Sequence, residues 1–168
     1  TPITSDLHTH YSPQWSPDGT QLVYQRSDDV LGNQQIYIMT LAGGAQTALT
    51  SDSFDHTVPQ WSPDGSTIAY NKLDGTGYYQ IYTVPVAGGA EVPLTSDSYN
   101  HFSPQWSHSG ANIVYSKIDG TGYGQIYTIP STGGAEIVVT SDSYQHNNPE
   151  YSPDDANIAY AALYPDTT

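Results

Sequence analysis

The chain repeats itself about every 45 residues, and this period constrains its fold more than any single motif does. Pro13-Gln14-Trp15-Ser16-Pro17-Asp18-Gly19 returns as Pro59-Gln60-Trp61-Ser62-Pro63-Asp64-Gly65. It returns again as Pro104-Gln105-Trp106-Ser107-His108-Ser109-Gly110, and last as Pro149-Glu150-Tyr151-Ser152-Pro153-Asp154-Asp155. The leading prolines stand 46, 45 and 45 positions apart. A fixed period of this size belongs to solenoids, propellers and arrays, whose units bury their apolar faces against one another. A residue that recurs in every unit is therefore expected first to hold the unit together. The units run 5–50, 51–95, 96–140 and 141–168, within one domain over 1–168. The second and third are identical at 27 of 45 positions. The first carries one extra residue between Asp28 and Asn33, and the last stops after 28 residues.

One unit gives the local structure. His56 to Ser62 is short and extended, with Pro59 at a strand start or edge. Pro63-Asp64-Gly65 has turn chemistry. Thr67 to Lys72 is rich in β-forming residues. Asp74-Gly75-Thr76-Gly77 turns again, Gln80 to Pro85 is a third strand, and Ala87-Gly88-Gly89-Ala90 turns into a fourth, Glu91 to Thr95. No window has a helical period of apolar residues. Four short antiparallel strands per unit of this size make one blade of a β-propeller, so the fold class is all-β.

The same residues resemble the TolB-type propeller repeat: Pro-x-Trp-Ser-Pro-Asp-Gly, then Ile-Ala-Tyr, Asp-Gly-x-Gly, Gln-Ile-Tyr, Gly-Gly-Ala and Leu-Thr. Similar repeats occur in the propellers of prolyl-oligopeptidase-type peptidases and in oligogalacturonate lyases. The resemblance covers nearly the whole chain. It implies a protein-binding propeller of the bacterial envelope, periplasmic or secreted, although no signal peptide is visible in this chain. The chain starts inside a repeat, because Pro2 to Asp6 matches Ala48 to Asp52. The third unit departs from the pattern at His108 and Ser109. The fourth has Tyr151 for Trp and Asp155 for Gly, and no Gln-Ile-Tyr or Gly-Gly follows.

About 3.6 units make half of a propeller of about six to eight blades. Open blade faces invite association, so a second copy of the chain is expected to complete the ring as a homodimer. The alternatives are a piece of a longer protein and a strained ring of four blades. Pro2 to Thr4 reads as a stray outer strand, suited to closing a blade begun elsewhere.

Charge narrows the partners. Three Lys or Arg stand against 17 Asp or Glu, a formal charge of -14. Such a field repels nucleic acid and anionic membrane surfaces. There is no cysteine, hence no disulfide and no thiolate metal site. No run of about 18 apolar residues crosses a membrane. Apolar content is 36%, but 15 tyrosines supply large faces for packing between sheets.

Two rows of residues are candidates for function. His10, His56, His101 and His146 each lie three residues before the strand-opening proline, and are expected near the mouth of the channel. A ring of imidazoles suits a transition metal, and oligogalacturonate lyases use channel histidines in this way. The structural alternative, favoured by recurrence, has Asp6, Asp52, Asp97 and Asp142 accepting from the imidazoles four residues later. Arg26, Lys72 and Lys117 are the only cations, each two residues after the second-strand tyrosine, with Ala162 in the fourth unit. They are expected to pair with a recurrent aspartate such as Asp18 or Asp64, or to form a collar for an anionic ligand such as a uronate. The turns at Asp28-Asp29, Asp74 and Asp119 could attract calcium, but an ion needs about six or more oxygens. Tyr78, Tyr79 and Tyr123 beside the second turn are candidate stacking surfaces for a sugar or peptide. No nucleophile elbow or phosphate-binding loop is present. The expectation is a non-catalytic interaction module without a cofactor. The alternative is a carbohydrate-binding or metal-dependent uronate-lyase-like propeller.

Overall fold

The computed structural model describes residues 4, 6–27, 32–42 and 44–164. Each unit forms one antiparallel sheet in sequence order. The first blade is β1 (His10–Trp15), β2 (Gln21–Ser27), β3 (Gln34–Thr40) and β4 (Gln46–Ala48). The second is β5 (His56–Trp61), β6 (Thr67–Leu73), β7 (Tyr79–Pro85) and β8 (Val92–Pro93). The third is β9 (Asn100–Trp106), β10 (Asn112–Ile118), β11 (Gly124–Pro130) and β12 (Ile137–Val138). The fourth sheet has two strands, β13 (Gln145–Tyr151) and β14 (Ile158–Leu163). The result is a partial propeller, and no described helix is long and apolar enough to cross a membrane. The expected N-terminal strand falls largely on residues 2 and 3, which lie outside the described residues.

Alternation along the strands builds the core between blades, since successive side chains point to opposite faces. Val23, Ile36 and Ile38 of the first blade pack on Trp61, Ile68, Tyr70 and Val84 of the second. Ala69, Ile81 and Leu94 on the other face of the second blade meet Ile113, Tyr115, Tyr127 and Ile129 of the third. Val114 and Ile126 then meet Tyr151 of the fourth. No core cluster joins the fourth sheet to the first, so the described residues do not form a closed ring of four blades.

Hydrogen bonds repeat at each junction. The third-strand glutamines Gln35, Gln80 and Gln125 donate Nε2 to two carbonyls of the following linker. These are Asp52 and Phe54, Asp97 and Tyr99, and Asp142 and Tyr144, at 2.8–3.0 Å. Trp61 Nε1 donates to Gln14 O and Trp106 Nε1 to Gln60 O, both at 3.2 Å. The recurrent Gln-Ile-Tyr and Gln-Trp motifs are thus the couplings of one blade to the next.

The departures in the third and fourth units compensate each other. His108 stands where the other units have proline, so it has a backbone N–H to donate. Asp155 stands where they have glycine, at φ 58, a region few non-glycine residues adopt. Its carboxylate accepts from His108 N at 2.6 Å and Ser109 N at 2.8 Å, tying the third blade to the fourth. Asp155→Gly would relax the backbone but leave both donors without this acceptor. Because charge-assisted bonds outweigh a single positive φ, the urea midpoint is expected to fall. A raised midpoint would show that the turn geometry dominates.

Candidate functional site

The conspicuous chemistry lies inside the blades. In the second blade, His56 opens β5 directly opposite Lys72 on β6. Asp52 comes from the preceding linker, where its Oδ1 accepts from Phe54 N at 2.8 Å. Glu91 comes from the turn before β8. Lys72 Nζ donates to Asp52 Oδ2 at 2.5 Å and to Glu91 Oε2. His56 Nε2 lies 2.9 Å from Glu91 Oε1, and Nδ1 lies 2.9 Å from Phe54 O. Tyr70 packs against His56 at 5.5 Å between ring centroids.

The third blade repeats this arrangement. Lys117 Nζ lies 2.5 Å from both Asp97 Oδ2 and Glu136 Oε2. His101 Nε2 is 3.2 Å from Glu136 Oε1, which also accepts from the Tyr115 hydroxyl at 2.6 Å. In the first blade Gln46 takes the glutamate position. It donates to Asp6 at 2.9 Å and accepts from Tyr24 at 2.8 Å and from Arg26 Nη1 at 3.1 Å, while Arg26 Nη2 donates to the Tyr37 hydroxyl. His10 Nε2 lies 3.3 Å from Asp6. In the fourth sheet the Asp142–His146 pair remains, at 2.7 Å.

Electrostatics follow from this geometry. Burial works to raise Glu91, but hydrogen bonds from His56 and Lys72 outweigh it and hold the carboxyl at about 2. Glu136 is held at about 2 in the same way by His101, Lys117 and Tyr115. Lys72 and Lys117 lose solvation but gain two carboxylates each, so both stay above the ordinary lysine value. Tyr70 and Tyr115 are pushed up, first by burial and then by the adjacent glutamates.

The folded glutamates sit below the ordinary 4.5, so the unfolded chain binds more protons in acid. Their stabilisation is complete above about pH 4.5 and is lost as pH falls toward about 2. Unfolding curves across that window are expected to show the loss, and Glu91→Gln with Glu136→Gln should flatten it.

Asp52, His56 and Glu91, and likewise Asp97, His101 and Glu136, bring ligand atoms within 4.8 Å of one another. They nevertheless do not fit a metal, because an ammonium already bonds both carboxylates of each set. An ion would have to expel a lysine and leave its charge buried. The arrangement instead ties the linker, inner strand, second strand and outer hairpin of a blade at one point.

The structure brings His56 and Lys72 together, and His101 and Lys117, in clusters buried within the blades. The expected cation partners are corrected. Asp18 and Asp64 accept from Ser16 and Thr20, and from Ser62 and Ser66, within their own turns. Lys72 and Lys117 reach Asp52, Glu91, Asp97 and Glu136 instead, because they lie at the far ends of their strands from those turns, and Arg26 reaches Gln46 and Tyr37. Asp74 and Asp119 cap Thr76 and Thr121. Asp28 and Asp29 lie outside the described residues. Tyr123 is exposed, whereas Tyr78 and Tyr79 are half-buried, Tyr79 against Phe102.

The inner strands present other side chains to the centre. Gln14, Gln60, Gln105 and Glu150 line a cavity of about 380 Å³ with Val58, Ser103 and Asn148. Each inner strand is bulged before its proline, and Ser12, Val58, Ser103 and Asn148 have φ of 49–54. Amide side chains of the preceding blade hold two of these bulges. Gln25 accepts from Val58 N at 2.8 Å, and Asn71 accepts from Ser103 N at 3.2 Å.

Comparison with known proteins fits this architecture. The family model of the TolB β-propeller domain matches residues 2–167. No curated protein shows significant similarity to the chain. Among solved structures, a putative TolB from Agrobacterium tumefaciens is 26% identical with a TM-score of 0.79, over 96% of this chain and 61% of its own. TolB from Acinetobacter baumannii is 24% identical with a TM-score of 0.75, over 93% and 38%. An oligogalacturonate lyase from Vibrio parahaemolyticus is 16% identical with a TM-score of 0.78, over 97% and 49%. At the last two identities the likeness is one of fold alone, and the chain spans 38–61% of these structures. Repeat, blade topology and family model agree, and the chain belongs to the TolB β-propeller domain family.

Proposed function

We propose that this chain is a non-catalytic interaction module that binds protein through the open faces of its terminal blades, with a second copy of itself as the partner. One contrast carries the reading. Trp61 is 9% exposed and its indole bonds the preceding blade, whereas Trp15 at the same place in the first blade is 57% exposed. Tyr11 beside it is also exposed. The surface complementary to such a tryptophan face is the exit face of another blade of the same repeat, as at the internal junctions. A head-to-tail contact of this kind closes when two partial rings meet. The charged clusters support a structural role, since each lysine bonds two carboxylates from different segments of its own blade. The envelope or extracellular setting implied by the family resemblance belongs to this reading.

Light scattering tests it. The expected mass is near twice that of the 18.2 kDa chain, and Trp15→Ser should shift it to that of one chain without unfolding the protein. A monomer across micromolar concentrations, or a dimer indifferent to Trp15→Ser, would overturn the reading.

A further inference from the structure

The junctions on either side of the second blade are built from the same repeat positions and differ in what fills them. Between the first and second blades, Ile38, Leu49 and Val86 pack in the cluster that holds Trp61. The turn residues beside that indole, with Gln21 and Asp64 among them, surround only about 130 Å³. Between the second and third blades, Thr83 stands for Ile38, Ser131 for Val86, Thr67 for Gln21 and Ser109 for Asp64. Each exchange removes bulk, and the first two put a hydroxyl where the other junction has an aliphatic side chain. The result is a groove of about 800 Å³ with Trp106 in its wall. Trp106 is half-buried, whereas Trp61 is 9% exposed. Every residue lining the groove belongs to the second or third blade, and all four strands of each come from this chain.

The chemistry of the groove selects its occupant. The Trp106 N–H already donates to Gln60 O at 3.2 Å, so the indole offers its apolar face rather than its donor. Leu94 and Val92 add apolar surface. Among the described residues, the hydroxyls of Thr83, Ser131 and Thr132 make no hydrogen bond within the protein, and a hydroxyl both donates and accepts. No lysine or arginine lines the groove, Asp64 stands at its rim, and the chain carries a charge of -14, so an anion is repelled. The loop bearing His108 and Ser109 is fixed in place, because Asp155 accepts from both backbone N–H groups. A preformed cleft of this size, part apolar with a few convergent polar groups, has the form of a small-ligand site. A sugar ring matches it, with a face of C–H groups for the indole and an edge of hydroxyls for the three free ones.

We infer that the groove between the second and third blades binds a neutral oligosaccharide, stacked on Trp106 and hydrogen-bonded by Thr83, Ser131 and Thr132. Recurrent residues hold the repeat together, and here the departures from recurrence gather around one indole. An aliphatic pair at Thr83 and Ser131 would seal the junction, as Ile38 and Val86 do at the other. The groove is separate from the Trp15 face, so sugar binding and self-association are read independently.

The test titrates the full chain with cellotriose, maltotriose and tri-N-acetylchitotriose, each to about 10 mM, and follows the indole N–H resonances of the three tryptophans. At least one of these sugars is expected to bind saturably and to move the Trp106 resonance while Trp15 and Trp61 stay in place. Trigalacturonate, which is anionic, should bind at least about tenfold more weakly than that sugar. Thr83→Ile with Ser131→Val should fill the groove, keep or raise the urea midpoint, and weaken binding at least about tenfold. Ser131→Val alone, at a half-buried position, should weaken it in the same direction. The inference is overturned if none of the three sugars binds, if Trp15 or Trp61 responds in place of Trp106, if trigalacturonate binds as tightly, or if the folded variants bind as the parent does.

Discussion

Trp61→Ala is expected to lower the unfolding free energy by about 3–5 kcal/mol, the range for truncating a buried aromatic. Trp15→Ala is expected to cost less than about 1 kcal/mol at concentrations where the chain is monomeric. The two residues occupy the same place in adjacent repeats, so backbone, propensity and strand pairing are matched, and the difference isolates the blade that covers one and not the other. Trp61 fills the space between Val23, Ile36 and Ile38 on one side and Ile68, Tyr70 and Val84 on the other. Its indole N–H also binds Gln14 O, and that carbonyl is left to water or to nothing when the ring is removed. Urea unfolding of both variants at low protein concentration measures the contrast. Equal losses would mean that Trp15 is covered in solution, and raising the protein concentration would then show whether a second copy covers it.

Most of the architecture is legible in the sequence, because a repeat states each strand several times. The Pro63-Asp64-Gly65 turn closes β5, with Pro59 inside the strand beside its bulge and not at its start, and the β-rich run after the turn is β6. The side-chain partners are less legible. Recurrence points the cations toward Asp18 or Asp64, but it does not say which end of a strand a residue occupies. Lys72 lies near the end of β6 and Asp64 lies before its start, so the two stand at opposite ends of the strand. Glu91 and Glu136 carry a signal finer than recurrence. They follow Gly-Gly-Ala in the two units that have lysine, and Gln46 follows it in the unit that has arginine. The identity of the residue after the turn thus varies with the identity of the cation. The bulges at Val58 and Ser103 have no such signal, because a positive φ at a non-glycine residue leaves no local mark. They are held by Gln25 and Asn71 from the neighbouring blade.

Lys72→Met is expected to destabilise the chain by about 2–4 kcal/mol, somewhat below the cost of breaking a fully buried pair. The lysine is nearly buried, and its removal leaves Asp52 and Glu91 facing each other with only His56 between them. Asp52 is 38% exposed, so water screens part of the repulsion. Adding Glu91→Gln to Lys72→Met should restore much of the loss, since Asp52 is then the one carboxylate left at the site. The order of the effects follows from the same logic. Lys72→Met costs more at pH 7 than near pH 3, where Glu91, freed of the ammonium that lowers it, takes up a proton and the repulsion is relieved, and the double variant shows the weaker pH dependence. A double-mutant cycle by urea unfolding at the two pH values reads both terms. If Lys72→Met were neutral at pH 7, the ammonium would not be what holds the two carboxylates together. The Asp52–His56–Glu91 set would then have room for another cation, and the lysine-filled cluster would no longer argue against a metal.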